Sequence, residues 1–199
     1  NELNIDYTEE IGEAAFYGPK LDVNVKPAVG NEYTLSTCQL DFCLPMKFDL
    51  KYVSKDGDKK TPVVLHRAIL GSLDRFMAYI LEETKGALPL WLSPTQINVI
   101  PVNNEYHTEY ANKIYELLKD NGFRVNIDLR DEKLSYKMRE SQTKKIPYTL
   151  ILGDKEKENN NISYRCFGNT DTKTIDTHEF ILLLKEQIRD KKWVTLFFF

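Results

Sequence analysis

Between residues 97 and 102 the chain reads INVIPV, a short apolar run that predicts a buried strand. TEYANKIYELLKD follows with apolar positions at helical spacing, and Asn121-Gly122 is a helix-stop signal. FRVNIDL then predicts a strand, YKMRESQTKK a helix stopped before Pro147, and YTLILG and ISYRCF two further strands. Between those strands, KEKENNNIS is polar throughout except for one isoleucine and predicts an exposed loop. Asp176 with Glu179 three residues later forms a capping-box pattern that opens a final helix, HEFILLLKEQI. Strand–helix–strand alternation with short connections predicts an α/β domain with a mixed sheet and right-handed crossovers.

The first half has a different pattern. KLDVNV alternates, YTLSTCQLDF is rich in strand formers, and FDLKYVSKDGDKKTPVVLH predicts two strands around the Asp56-Gly57 turn. LDRFMAYILEET has helical spacing, with Leu73, Phe76, Met77 and Ile80 on one face. Antiparallel strands closed by a helix predict an α+β domain. The two halves part at GALPLWLSPTQ, where glycine and two prolines follow the helix, giving expected domains at 1–88 and 95–192.

Composition narrows the class. With 199 residues, 42% hydrophobic and 12% aromatic, the chain can bury one large core or two small ones, which excludes disordered and fibrous material. A net charge of −3 steers it towards no partner globally, so any nucleic-acid surface has to be local. Three cysteines without a CxxC pair favour a reduced, cytoplasmic setting over a disulfide framework. No stretch is long enough to span a membrane, and NELNIDYTEE is not a signal peptide. The absent initial methionine and the apolar ending WVTLFFF after RDKK raise two expectations: truncation at the front, and foreign or misread sequence at 193–199. A docked terminal strand is the alternative for that tail.

VVLHRAILGSLDRF holds the first candidate chemistry. Ser72 after Gly71 is a good helix N-cap, which puts Arg75 in the first turn, where it opposes the helix dipole unless an anion sits there. Spacing alone favours a solvated arginine over an anion contact, and for His66 it favours a hydrogen-bonded core histidine over a ligand. In FYGPKLD the Gly-Pro turn fixes the backbone before Lys20, which can face a phosphate or carboxylate or lie idle on the surface. Gln39 and Asp41 share a strand face, by default a solvated one, which can alternatively line a cleft. Residues 122–150 carry seven basic against four acidic side chains, a local +3 with Tyr136 and Tyr148 nearby, which suits RNA or a solvated helix.

GEAAFYGPKLD, STCQLDFCLP, PVVLHRAILGSLDRF, LPLWLSPTQ, DLRDEKLSYKMRE, KKIPYTLILGDKE and ISYR, in that order, resemble the C-terminal half of bacterial threonyl-tRNA synthetases. The resemblance runs from about Gly12 to Lys192. It implies the end of a class II antiparallel catalytic sheet followed by an α/β anticodon-binding domain. It further implies that His66 is one of three protein ligands of a catalytic Zn2+, which takes threonine through its amino and hydroxyl groups and so discriminates against valine. Arg75 resembles the motif 3 arginine that clamps ATP phosphates, with Mg2+ accompanying the ATP. Lys20, Tyr17, Gln39 and Ser72 match active-site positions around the adenylate or the tRNA end. Lys133, Arg139, Glu156 and Arg165 match the anticodon-reading surface, with Glu156 able to accept from guanine N–H groups.

The implied partners are tRNA(Thr), ATP and threonine, and the implied complete enzyme is a homodimer. Departures from the family pattern are Tyr33-Thr34 in place of a common Trp-Gln and Asp131 in place of a common asparagine. Motifs 1 and 2 and the other two zinc ligands do not occur in this sequence, so little aminoacylation is expected from it alone. A non-catalytic tRNA-binding module is the alternative. The prolyl and histidyl synthetases are disfavoured, because GPKLD, QLDF and HRAILGS follow the threonyl pattern.

Overall fold

The structure is a computed structural model in which residues 5–27 and 30–192 are described, so the tail at 193–199 lies outside the described residues. Two compact units meet in sequence between Glu83 and Thr84.

In the first unit, β1 (Lys20–Val25), β2 (Tyr33–Asp41) and β5 (Val64–Ala68) form an antiparallel sheet in the order β1-β2-β5. The Asp56-Gly57 turn joins a separate two-stranded ribbon of β3 (Tyr52–Val53) and β4 (Lys59–Lys60). Gly57 supplies the positive φ of 85° that this turn requires. A short helix that the sequence pattern does not announce, α1 (Cys43–Lys47), follows β2 directly. It starts there because Asp41 Oδ1 accepts the Cys43 and Leu44 backbone N–H groups at 2.8 and 2.9 Å. The helix α2 (Leu73–Glu83) begins at Ser72, whose hydroxyl accepts the Arg75 N–H at 3.3 Å. Leu73 and Met77 of its predicted apolar stripe are exposed in this unit.

The second unit is built on one mixed sheet, in the order β10-β9-β8-β6-β7. Its strands are β6 (Ile97–Pro101), β7 (Val125–Ile127), β8 (Tyr148–Leu152), β9 (Asn161–Cys166) and β10 (Lys173–Asp176). β6 is parallel to β7 and β8, whereas β8–β9 and β9–β10 are antiparallel. All five residues of β6 are buried, as an apolar run in the middle of a sheet should be. α3 (Asn104–Asp120) begins earlier than the apolar spacing predicts, because the Asn103 side chain caps it by accepting the Glu105 N–H at 2.7 Å.

Together with α6 (Thr177–Arg189), α3 covers one sheet face and encloses a core that includes Ile114, Leu118, Leu150, Ile162, Phe180 and Leu184. Asp176 caps α6 by accepting the His178 and Glu179 N–H groups. α4 (Leu134–Thr143) lies on the opposite, polar face, where Ser141 and Thr149 share a hydrogen bond of 2.6 Å. The segment predicted as an exposed loop needs correction, since its first part is a helix, α5 (Asp154–Asn159). Its ends are fixed by polar groups instead of apolar packing: Glu156 accepts the Gly153 N–H at one end, and Asn160 takes a left-handed φ of 53° at the other.

Candidate functional sites on two polar sheet faces

The register of the first sheet places Lys20 opposite Gln39 and Gln39 opposite His66, so three of the sequence candidates form one row across β1, β2 and β5. Directly opposed residues point to the same face. Tyr17 joins them from the turn before β1, donating its hydroxyl to Gln39 Oε1 at 2.8 Å. In the next row, Asp22 receives Lys20 Nζ at 2.7 Å and the Thr37 hydroxyl at 2.6 Å. The Lys20 bond is the main reason that the Asp22 carboxyl is held below its usual range, and in return Asp22 raises the Lys20 ammonium. An anion taken up by Lys20 therefore competes with Asp22.

Asp41, only 1% exposed, divides its carboxylate: Oδ1 caps α1 while Oδ2 lies 2.9 Å from His66 Nε2. Burial alone would push the Asp41 carboxyl up, but hydrogen bonds from Leu44, His66 and Cys43 outweigh it and hold the group low. An imidazole anchored to a carboxylate through one nitrogen and free at the other is the usual preparation of a metal-ligating histidine. His66 thus fits a metal through Nδ1. Among the described residues no cluster of three or more His, Cys, Asp and Glu side chains supplies a complete metal site.

Ser72 and Arg75 sit at the start of α2 and have no direct hydrogen bond to the row. The Arg75 guanidinium lies over the Tyr33 ring, 5.8 Å from its centroid, and Tyr33 meets Tyr79 edge-on at 6.3 Å. The support of Arg75 by Tyr33 is not visible in residue spacing, and Asp22 is passed over in the sequence reading. The alternation of β1 does place Asp22 on the face of Lys20, and that signal could have found it.

In the second unit, two rows cross the polar face of the sheet. One runs Asn126–Asn98–Thr149–Arg165 over β7, β6, β8 and β9. The other runs Ile100–Ile151–Ser163–Thr174. Glu156 reaches this face from α5: its Oε1 accepts the Ser163 hydroxyl at 2.6 Å, and Ser163 pairs with Thr174 at 2.8 Å. Burial works to raise the Glu156 carboxyl, but the bonds from Ser163 and Gly153 prevail and keep it below its usual range. Arg165 holds the Thr172 hydroxyl at 3.0 Å through one guanidinium nitrogen, while its buried Nε has no partner among the described residues. Glu156, through Ser163, and Arg165 thus lie on one face of the sheet, Ser163 and Arg165 being two residues apart on β9. Arg139 is exposed on α4, one residue past buried Met138 and three before Gln142, whose side chain reaches the Cys166 carbonyl at 3.5 Å. Helical periodicity puts it on the β9 side of α4. Lys133 is exposed at the N-cap of α4, without a side-chain capping bond.

On the other side of α4 lies a polar groove of about 440 Å³. At one end Arg130 bridges Asp128 at 2.6 Å and Glu140 at 2.5 Å, and Lys144 adds a 2.7 Å contact to Glu140. The Arg130 hydrogen bond is the main cause that holds the Asp128 carboxyl low, and Lys144 followed by Arg130 does the same for Glu140. None of this was singled out in the sequence beyond the excess of basic residues.

Comparison with known proteins agrees with this division. Residues 3–84 match the tRNA synthetase class II core domain (G, H, P, S and T), and residues 96–187 match the anticodon binding domain. An antiparallel sheet followed by a mixed sheet with helices is the arrangement those two domains define, and the chain belongs to the class II aminoacyl-tRNA synthetases. Within that class its relatives are threonine–tRNA ligases. It is 54% identical over 192 residues to that of Staphylococcus carnosus and 51% identical over 191 residues to that of Oceanobacillus iheyensis. Each match covers 96% of this chain and 30% of the relative, so the chain spans about 30% of the length of the curated relatives it matches. The RNA binding domain of threonyl-tRNA synthetase from Cryptosporidium parvum Iowa II superposes with a TM-score of 0.80 at 37% identity, covering 88% of this chain and 44% of that one.

Proposed function

We propose that this chain is the part of a threonine–tRNA ligase that closes the catalytic sheet, over residues 1–88, and reads the anticodon, over residues 95–192. The complete protein would activate threonine with ATP and transfer it to tRNA(Thr), acting in the cytoplasm as a homodimer. Among the described residues no helix is long and apolar enough to cross a membrane.

The observation that carries the reading of the second unit is the presence of Glu156 and Arg165 on one sheet face, with a buried Arg165 N–H left over. A carboxylate can accept from guanine N–H groups, and a guanidinium can donate to base oxygens and nitrogens. Arg139 and Lys133 supply positive charge for the backbone beside them. Arg165→Ala should weaken binding to a tRNA carrying the threonine anticodon by about 5–100-fold, an interaction on the scale of a base contact. tRNAs with unrelated anticodons should lose less. Equal loss for all of them in filter binding would assign Arg165 to phosphate contact and sink the base-reading role.

In the first unit Lys20 and Arg75 are the cations suited to the charge that grows as a threonine carboxylate oxygen attacks the α-phosphorus and pyrophosphate leaves. Held over Tyr33, the Arg75 guanidinium keeps its N–H groups free for phosphate oxygens, whose charge Mg2+ bound with ATP would also help to neutralise. Tyr17 and Gln39, joined by their hydrogen bond, and Ser72 at the N-cap of α2 would line the adenylate site. His66 would hold Zn2+, whose chemistry is to bind the amino and hydroxyl groups of threonine; Asp41 fixes the ring for that task. Because His66 is the one zinc ligand assigned to this chain, the isolated chain should show no threonine-dependent ATP–pyrophosphate exchange above background. Robust exchange would overturn that assignment.

A tRNA-binding module without catalysis is the second reading, and the closed core of the second unit favours it. Retained affinity for tRNA together with a full-length gene product inactive in exchange would establish it over the first.

A further inference from the structure

The groove between α4 and the β6–β7 edge has a floor suited to recognition. Asn98 and Asn126 are paired across β6 and β7, with Asn126 Nδ2 donating to Asn98 Oδ1 at 2.7 Å. That bond consumes one donor and one acceptor. Whichever way the two amides are turned, the bonded pair keeps one NH2 group and one carbonyl oxygen that this bond does not use. A donor next to an acceptor is the edge pattern that asparagine uses to read a nucleobase.

The wall is basic on balance: Arg130, Lys137 and Lys144 line the groove against Asp128 and Glu140. Lys137 is only 2% exposed, and its ammonium donates to the Asp128 carbonyl at 3.2 Å and the Asn104 side chain at 3.5 Å. An ammonium carries three N–H groups, so one remains for a ligand oxygen. The volume of about 440 Å³ exceeds what one phosphate or one amino acid needs and is in the range of small-ligand pockets.

The geometry points to a nucleotide site in this groove, which takes a base on the Asn98–Asn126 amide pair and a phosphate at the Lys137–Lys144 side. It lies across α4 from the Glu156–Arg165 face. The nucleotide comes either from a strand of the bound RNA outside the anticodon bases or as a free mononucleotide. The RNA source rests on the tRNA-binding reading above; the free-nucleotide source does not.

Asn126 is exposed on the edge strand, so Asn126→Ala should leave the fold intact, as circular dichroism and melting can verify. The test uses the whole chain, with a tRNA(Thr) transcript and with AMP, GMP, CMP and UMP singly. If RNA occupies the groove, Asn126→Ala weakens transcript binding about 5–20-fold at fixed salt, and the side-chain amide NMR signals of Asn98 and Asn126 move with the transcript. If a free nucleotide occupies it, the same signals move with one of the monophosphates and the movement is lost in Asn126→Ala. Unmoved amide signals in every titration, together with unchanged transcript affinity, overturn the site. Should Arg165→Ala at the same time abolish anticodon selectivity, the tRNA reading stands and this inference alone has failed.

Discussion

Phe180→Ala is expected to lower the stability of the second unit by about 3–5 kcal/mol, the usual result of emptying a large aromatic site in a closed core. Phe180 is 0% exposed and packs edge-on against Tyr148 at 5.7 Å and tilted against Tyr164 at 5.1 Å. Those two rings also meet each other at 5.6 Å, so one truncation removes a contact from each of two neighbours on adjacent strands. Aromatic contacts of this kind add about 0.5–1.5 kcal/mol beyond buried area. Collapse of the site is opposed by the Tyr148 hydroxyl, which is tied to Gln187 of the same helix at 3.0 Å and cannot follow the void. Calorimetry should show the transition of this unit move down by more than about 10 °C. A shift of only a few degrees would mean that the core repacks and that the three rings are not its organising contact. At temperatures below the new transition, tRNA affinity should change little, because Arg165 and Glu156 project from the other face of the sheet.

Gly18→Ala should cost about 1–3 kcal/mol or more in the first unit, as overfilling a fixed site does. A Cβ on Gly18 would lie 2.3 Å from the Leu40 carbonyl oxygen and 3.1 Å from the Phe42 ring. The carbonyl cannot retreat, because Leu40 N–H donates to Pro19 O and Phe42 N–H to Tyr17 O, both at 3.0 Å, which holds the two segments together on either side of the clash. The residue that has to move is Tyr17, and its hydroxyl bond to Gln39 goes with it. Amide hydrogen exchange at Leu40 and Phe42 reads this directly. Wild-type protection in the variant would show that the turn has room that the close approach denies.

The elements with strong periodicity or a polar start signal were legible in the sequence: the buried β6 run, the Ser72 cap of α2 and the Asp176 cap of α6. α5 was not, because DKEKEN has no apolar stripe to betray a helix, and its ends depend on Glu156 folding back and on a left-handed Asn160. α1 was hidden because its cap, Asp41, reads as the last residue of a strand. β10 is a short strand beyond a polar loop, and it exists because β9 offers it an edge. For the sites, the resemblance named residues that spacing left open, and neither source supplied register. Only pairing reveals that Lys20, Gln39 and His66 share one row, or that Asn98 and Asn126 lie side by side.

One consequence of the Asp41 carboxylate concerns motion. The same three-atom group ties the imidazole of residue 66 to the first two amides of the following helix. Rotation of that ring away from its anchor therefore strips the helix start of its compensating charge, and fraying of the helix releases the ring. The two fluctuations belong to one mode, so the histidine should be as ordered as the backbone beneath it even though nearly half of its side chain is open to water.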